Sequence, residues 1–185
     1  MYELLTPTSL NWVSAVLCDF DTFLLDHAAC ERKASAVGMS FVVRYPDRPR
    51  LIEPMIQFAR EELEHFHQVY RLIQKRGLTL CEDRKDDYVN ALQAEVRFGR
   101  EERLLDRLIL ASVIEARGFE RLTLLVSHMS DKSLREFYSR LARAEGGHKD
   151  LFLEMAHLFF PAEWVQERLH VFLKKEKEII LSLPL

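Results

Sequence analysis

Apolar residues in this chain recur every three or four positions, which is the spacing of an amphipathic α-helix and not the alternation of a β-strand. The first such run passes through Phe20, Leu24 and Val42 and stops at Tyr45-Pro46, because a residue that precedes proline avoids the helical conformation. The pattern therefore predicts one long helix from about residue 9 to residue 45, with a break near Asp19.

Four further long helices follow from the same spacing and from stop signals. Gly77 stands just past the second helix, where a left-handed residue commonly ends a helix, and Pro161 ends the fourth. A short helical stretch, 87–98, lies in the long connection between the second and third helices. The predicted ranges of the later long helices are 50–76, 100–129, 133–160 and 162–181.

This order of helices predicts an all-α fold: a ferritin-like four-helix bundle with a long crossover between helices two and three and an additional C-terminal helix. The two helical pairs look like repeats of one another. At 185 residues with 48% hydrophobic content, the chain can bury one core, so we expect residues 1–185 to form a single ferritin-like domain.

Cysteine usage and charge narrow the class of protein. The three cysteines are widely spaced and form no CxxC pair, which argues against a disulfide framework or a zinc ribbon and fits a reducing compartment. The chain shows neither a signal peptide nor an apolar stretch long enough to cross a bilayer, so we expect a cytoplasmic protein without membrane association. The formal net charge of −3 neither indicates nor excludes a polyanionic partner.

The sequence Glu-x-x-His occurs five times. On a helix it places a carboxylate and an imidazole one turn apart on one face, so that both reach a metal ion inside a bundle. The pairs Glu62 with His65 and Glu145 with His148 lie in apolar rows of their helices. The other three pairs lie in polar rows and are expected to be solvated: Glu64 with His67, Glu154 with His157, and Glu167 with His170.

Two lone glutamates, Glu31 and Glu115, also lie in apolar rows. The order Glu, then Glu-x-x-His, thus occurs twice: Glu62 follows Glu31 by 31 positions, and Glu145 follows Glu115 by 30. This is the ligand set of di-iron carboxylate bundles. The sequence therefore predicts that two metal ions are bound by Glu31, Glu62, His65, Glu115, Glu145 and His148.

Charge and donor chemistry favour iron. Four buried carboxylates are costly when left ionised, whereas two divalent cations neutralise them and neutral histidines add no charge. Oxygen-rich ligands with one imidazole per metal suit iron or manganese, and iron also reduces oxygen. A metal-free bundle whose carboxylates share protons is the alternative. His27, one turn before Glu31, is interpreted as a structural residue.

Small residues accompany the two lone glutamates in their rows. They leave space for oxygen and substrate, or they allow the helices to approach closely; the sequence does not decide between these interpretations. The residues are Ala28, Ser35, Gly38, Ala111 and Gly118.

The segments around the ligands resemble the bacterial tRNA 2-methylthio-N-6-isopentenyladenosine hydroxylase family. They are DHAACERKASA, AREELEHFHQVY, IEARGFERL and ARAEGGHKDLF, and they spread over nearly the whole chain. The resemblance implies an oxygen-dependent hydroxylation of the isopentenyl group on the modified adenosine beside the tRNA anticodon. It also implies a di-iron centre with these six ligands, and an external electron donor such as an electron-transfer protein or reductase.

A tRNA substrate requires cationic surface. If the crossover carries the chain along the bundle, six arginines gather at one end, although Asp47, Glu101 and Glu102 among them also fit an ordinary solvated surface. The six are Arg44, Arg48, Arg50, Arg97, Arg100 and Arg103.

Other di-iron functions stay open. Iron storage or peroxide detoxification is disfavoured by the double Glu-x-x-His set and by the lack of rubredoxin-type cysteine pairs. A small-molecule oxidase, such as a desaturase or a deformylating oxygenase, would need an apolar tunnel in place of a basic mouth.

Overall fold

The computed structural model describes residues 2–83 and 85–183, and within these residues the regular structure is helical, without β-strands. Each long helix lies within a few residues of its predicted range. The helices are α1 (Leu10–Cys18), α2 (Phe20–Arg44), α3 (Pro49–Lys75), α4 (Asp87–Gln93), α5 (Arg100–His128), α6 (Lys132–Phe159) and α7 (Ala162–Ser182).

The predicted break near Asp19 and the predicted stop at Gly77 are both confirmed. Asp19 separates α1 from α2, and its side chain caps α2 by accepting a hydrogen bond from the backbone N–H of Thr22 at 3.2 Å. Gly77 has φ of 70°, a conformation that glycine adopts without steric cost.

The short helix in the crossover ends earlier than predicted, at Gln93 and not at residue 98. The backbone N–H of Arg97 donates to the carboxylate of Asp106 at 2.9 Å and is therefore not available to continue the helix. Periodicity along the chain could not show this partner, because Asp106 belongs to the next helix.

The described residues form two compact units. One contains residues between 15 and 85, and the other contains those before 15 and after 85; we call them the 15–85 unit and the 86–183 unit. The expectation that residues 1–185 act as one domain stays a prediction.

In the 15–85 unit, α2 and α3 pack antiparallel and are joined by the short loop 45–48. They approach closely at Gly38, where an added Cβ would lie 2.8 Å from Cδ1 of Phe58 and 3.0 Å from the backbone oxygen of Met55. Ser35 tightens the same contact, since its hydroxyl donates to the backbone oxygen of Ala59 at 2.7 Å. At Ser35 and Gly38, therefore, small side chains serve close helix packing.

In the 86–183 unit, α5 packs against α6, and both α7 and α4 pack on α5. The amino-terminal segment is bound to α5, because the backbone N–H and the hydroxyl of Thr8 both donate to the carboxylate of Glu120, at 2.8 and 2.6 Å. The helix α5 is buried along most of its length, which makes it the central element of this unit.

Within the described residues, no helix is both long and apolar enough to cross a membrane.

Candidate metal centre

Three of the predicted ligands come together in the 15–85 unit. Glu31 projects from α2, while Glu62 and His65 project from α3 one turn apart, and one ligand atom from each lies within 4.8 Å of the others. Nδ1 of His65 is 3.6 Å from Oε2 of Glu31 and 3.7 Å from Oε1 of Glu62. Glu31 and Glu62 are 3% and 1% exposed, so both carboxylates are removed from water.

The other three predicted ligands come together in the 86–183 unit. Glu115 projects from α5, Glu145 and His148 project from α6, and their ligand atoms also lie within 4.8 Å of one another. Nδ1 of His148 is 3.8 Å from Oε2 of Glu115. All three side chains are buried. Each unit therefore carries one trio of two carboxylates and one imidazole.

The spacing within each trio fits a single metal ion. Ligand atoms that bind one ion at about 2.1 Å lie at most about 4.2 Å apart. The imidazole–carboxylate distances, 3.6 and 3.7 Å in the first trio and 3.8 Å between His148 and Glu115 in the second, are within reach of a shared ion. Carboxylate oxygen with imidazole nitrogen is a donor set suited to iron or manganese. The residues present thus fit the predicted metal ions.

Electrostatics in the first trio favour a cation. Burial alone would raise the pKa of Glu31, but the neighbouring imidazoles of His27 and His65 outweigh burial and lower it well below its usual range. Burial disfavours a charged imidazole, yet the carboxylates of Glu31 and Glu62 raise the pKa of His65 to about 10. The trio is stabilised by a positive charge, which a proton on His65 or a metal ion supplies.

His27 has a closer relationship to the site than the sequence suggested. Its Nε2 lies 2.7 Å from Oε1 of Glu31, and its ring stacks on Phe23 with the ring centroids 5.6 Å apart. A histidine held by stacking on one side orients the carboxylate that it contacts on the other. The one-turn spacing from Glu31 was the available signal, but a lone helical histidine is more often structural.

Two glycines near the second trio have different surroundings. A Cβ at Gly118 would lie 3.1 Å from Oε2 of Glu145, so Gly118 leaves space for a ligand carboxylate. A Cβ at Gly147 would have nothing within 4 Å, and α6 continues as a regular helix through this position. Nothing in the structure explains the glycine at 147.

The three Glu-x-x-His pairs predicted to be solvated are all exposed, and this prediction is confirmed. They are Glu64 with His67, Glu154 with His157, and Glu167 with His170.

The six arginines predicted to contact tRNA form two local groups. In the 15–85 unit they stand around the loop between α2 and α3, with Arg44 and Arg50 exposed and Arg48 half-exposed. In the 86–183 unit they stand around the start of α5: Arg97 pairs with Asp106, Arg100 is exposed, and Arg103 is half-exposed.

A protein-family model and two known relatives that match this chain all describe the same hydroxylase. The model of the tRNA-(MS[2]IO[6]A)-hydroxylase (MiaE) family matches residues 2–184. The tRNA 2-(methylsulfanyl)-N(6)-isopentenyladenosine(37) hydroxylase of Pseudomonas putida is 35% identical over 176 residues, which are 95% of this chain and 85% of that protein. The protein of the same name from Salmonella typhimurium is 33% identical over 133 residues, which are 72% of this chain and 48% of that protein.

One solved structure is similar over the whole chain. It is described as protein 43 with aldehyde deformylating oxygenase activity from Synechococcus, and it is 38% identical to this chain with a TM-score of 0.95. The superposition covers all of this chain and 92% of that protein. The all-helical, ferritin-like fold predicted from the sequence is confirmed.

Proposed function

Because the chain belongs to the tRNA-(MS[2]IO[6]A)-hydroxylase family, we propose that it hydroxylates the isopentenyl group of 2-methylthio-N6-isopentenyladenosine beside the anticodon of tRNA, with oxygen as co-substrate. The observation that carries the proposal is the presence of two trios with the same ligand types and buried carboxylates, in a chain that matches the family from residue 2 to residue 184.

Each trio would hold one iron ion. Glu31, Glu62 and His65 are proposed as ligands of one ion. The matching ligands of the other ion are Glu115, Glu145 and His148. Bound iron would supply the redox chemistry by which oxygen reacts at an unactivated carbon.

The protein's own residues would prepare the site. The carboxylates neutralise the ions, and His27 holds Glu31 in one orientation through its 2.7 Å contact. Buried apolar residues one and two turns from the ligands, such as Phe58 on α3 and Phe152 on α6, limit the access of water. These roles are positioning and exclusion of solvent.

Hydroxylation by oxygen places one oxygen atom in the substrate and releases the other as water. In addition to the substrate and oxygen, the reaction consumes two electrons and two protons. An external electron donor is therefore required. We propose an electron-transfer protein or reductase as the partner, and the cytoplasm as the compartment in which tRNA and donor are both present.

Phosphates of the tRNA would be contacted by exposed and half-exposed arginines of the two local groups. Guanidinium groups bind phosphate through paired hydrogen bonds, and such contacts position the nucleic acid without reading its sequence. The proposed contacts are Arg44, Arg48, Arg50, Arg97, Arg100 and Arg103.

The test combines metal analysis with product analysis. The purified protein is analysed for iron, reduced, and incubated with oxygen and unfractionated tRNA, after which the digested nucleosides are examined by mass spectrometry. Two irons per chain and a hydroxylated isopentenyladenosine are expected. Iron with unchanged nucleosides would overturn the tRNA assignment and favour the small-molecule oxidase alternative.

A further inference from the structure

Phe98 is the most exposed large apolar side chain among the described residues, at 88%. It lies just before α5, in the 86–183 unit. Exposing a whole aromatic ring to water forgoes the free energy that its burial would provide. Such a residue is expected where the ring has a partner outside the chain.

The position of Phe98 does not result from a loose loop. The preceding residue, Arg97, donates to the buried carboxylate of Asp106 from its backbone N–H, Nε and Nη2, each at 2.9 Å. Arg168 on α7 donates to the same carboxylate at 2.7 and 3.0 Å, and also to the backbone oxygen of Glu95 at 3.0 Å. The backbone on the amino-terminal side of Phe98 is therefore held in place.

One guanidinium lies over the ring, and a second arginine is on the adjacent turn. The guanidinium carbon of Arg103 lies 5.8 Å from the centroid of Phe98, which is a cation–π distance. Arg100 is exposed on the first turn of α5. The nearby carboxylate of Glu102 is turned back against Gly99. A flat apolar face is thus in contact with one guanidinium group, next to a helix turn that carries the exposed Arg100 and Glu101.

We propose that Phe98 is a stacking platform for an unpaired base of the tRNA loop, with Arg100 and Arg103 on the adjacent phosphates; this rests on the proposed function. An unpaired nucleotide offers a π-face next to a phosphate, which matches a ring among arginines, and every base can stack. A second copy of this chain fits poorly, because a symmetric contact would bring the same arginines against each other.

The test measures binding without turnover, with an anticodon stem-loop RNA and with a fully paired duplex RNA of the same length. Phe98→Ala is expected to raise the Kd for the stem-loop about 5- to 100-fold and to leave the Kd for the duplex unchanged. Phe98→Tyr retains an aromatic face and is expected to bind like the parent protein. Leu181→Ala, which removes another exposed apolar side chain from the same unit, is the matched control and is expected to change neither Kd.

The salt dependence of the Kd distinguishes base stacking from contacts with phosphates. Phe98→Ala should leave the slope of log Kd against log salt unchanged, whereas Arg103→Ala should reduce it by about one. An unchanged stem-loop Kd for Phe98→Ala, or an equal loss on both RNAs, would overturn the platform. The proposed function is judged separately, by whether the parent protein hydroxylates tRNA at all.

Discussion

The guanidinium of Arg117 lies 2.6 Å from the carboxylate of Glu176, and the two residues are only 1% and 0% exposed. The pair joins α5 to α7. Arg117 also donates to the backbone oxygen of Thr6 at 2.9 Å and to the hydroxyl of Thr8 at 3.1 Å, so the amino-terminal segment is held by the same group. This buried ion pair stabilises three separate parts of the 86–183 unit.

Removing one partner should therefore be costly. Glu176→Ala leaves the buried guanidinium with only the partly exposed carboxylate of Glu120 as an anionic partner and is expected to lower the free energy of unfolding by about 3 kcal/mol. Urea denaturation followed by circular dichroism measures the change. Glu136→Ala breaks the exposed pair with Lys132 and is the control, expected to change the free energy by less than about 1 kcal/mol. Equal effects of the two substitutions would contradict this account.

Stability should depend on pH through Asp106. Burial raises the pKa of this carboxyl, but hydrogen bonds from Arg97 and Arg168 outweigh burial and lower it below its usual value of 3.8. A lowered folded-state pKa adds stability that is fully present above the unfolded value and is lost as the pH falls through the folded value. Asp106→Asn should reduce stability at neutral pH and flatten its decline in acid. The difference in slope should appear below about pH 4, so urea midpoints measured from about pH 6 to about pH 2 would show it, and parallel curves over the acid part of this range would exclude it.

Metal content should follow the trios and not the exposed pairs. His148→Ala is expected to lower the iron content from two ions per chain towards one, because the second trio loses its imidazole. His157→Ala, an exposed histidine on the same helix, is the matched control and should keep both ions. Elemental analysis of the two variants decides the matter. If both variants retain the metal content of the parent protein, the predicted ligands do not bind the metal. That result would support the alternative of a metal-free site.

Glu31 should bind its metal less tightly when His27 no longer orients it. Loss of a group that positions a metal ligand typically costs 10- to 100-fold in metal affinity, so an effect of about this size is expected for His27→Ala. His27→Gln keeps a hydrogen-bond donor near Oε1 of Glu31 and should recover part of the affinity. Titration of the reduced protein with ferrous iron gives the affinity of each variant. Equal affinities for His27→Ala and the parent protein would assign His27 a purely structural role.

Gly118 and Gly147, both close in sequence to ligands of the second trio, should respond in opposite ways to substitution by alanine. Gly118→Ala places a methyl group against the carboxylate of Glu145 and is expected to lower iron content. Gly147→Ala meets no atom within 4 Å and should stabilise the helix by about 1 kcal/mol with iron content unchanged. Thermal unfolding and elemental analysis of both variants provide the comparison. A Gly118→Ala protein with full iron content would show that Glu145 can move aside.

Residue spacing along the chain predicted the long helices and the trios, because helical periodicity places residues of one row on one face. The same argument separated the pair Glu62 and His65, of which Glu62 is buried and His65 half-buried, from the exposed pair Glu64 and His67. It could not place Arg97, whose partner Asp106 belongs to the next helix. The one-turn spacing of His27 and Glu31 allowed a contact on α2, but spacing does not fix the side-chain rotamers that bring Nε2 to 2.7 Å from Oε1. Contacts between elements depend on their packing, which local periodicity does not specify.

The loops that join the ligand-bearing helices are short, 45–48 between α2 and α3 and 129–131 between α5 and α6. Closing a short loop costs little chain entropy, and contacts within a helical hairpin form quickly. Each trio therefore needs only its own hairpin, and not the crossover, to bring its three ligands together. Insertions at positions 78–82 of the crossover should accordingly leave the three ligands of each trio together, and elemental analysis for iron would show this.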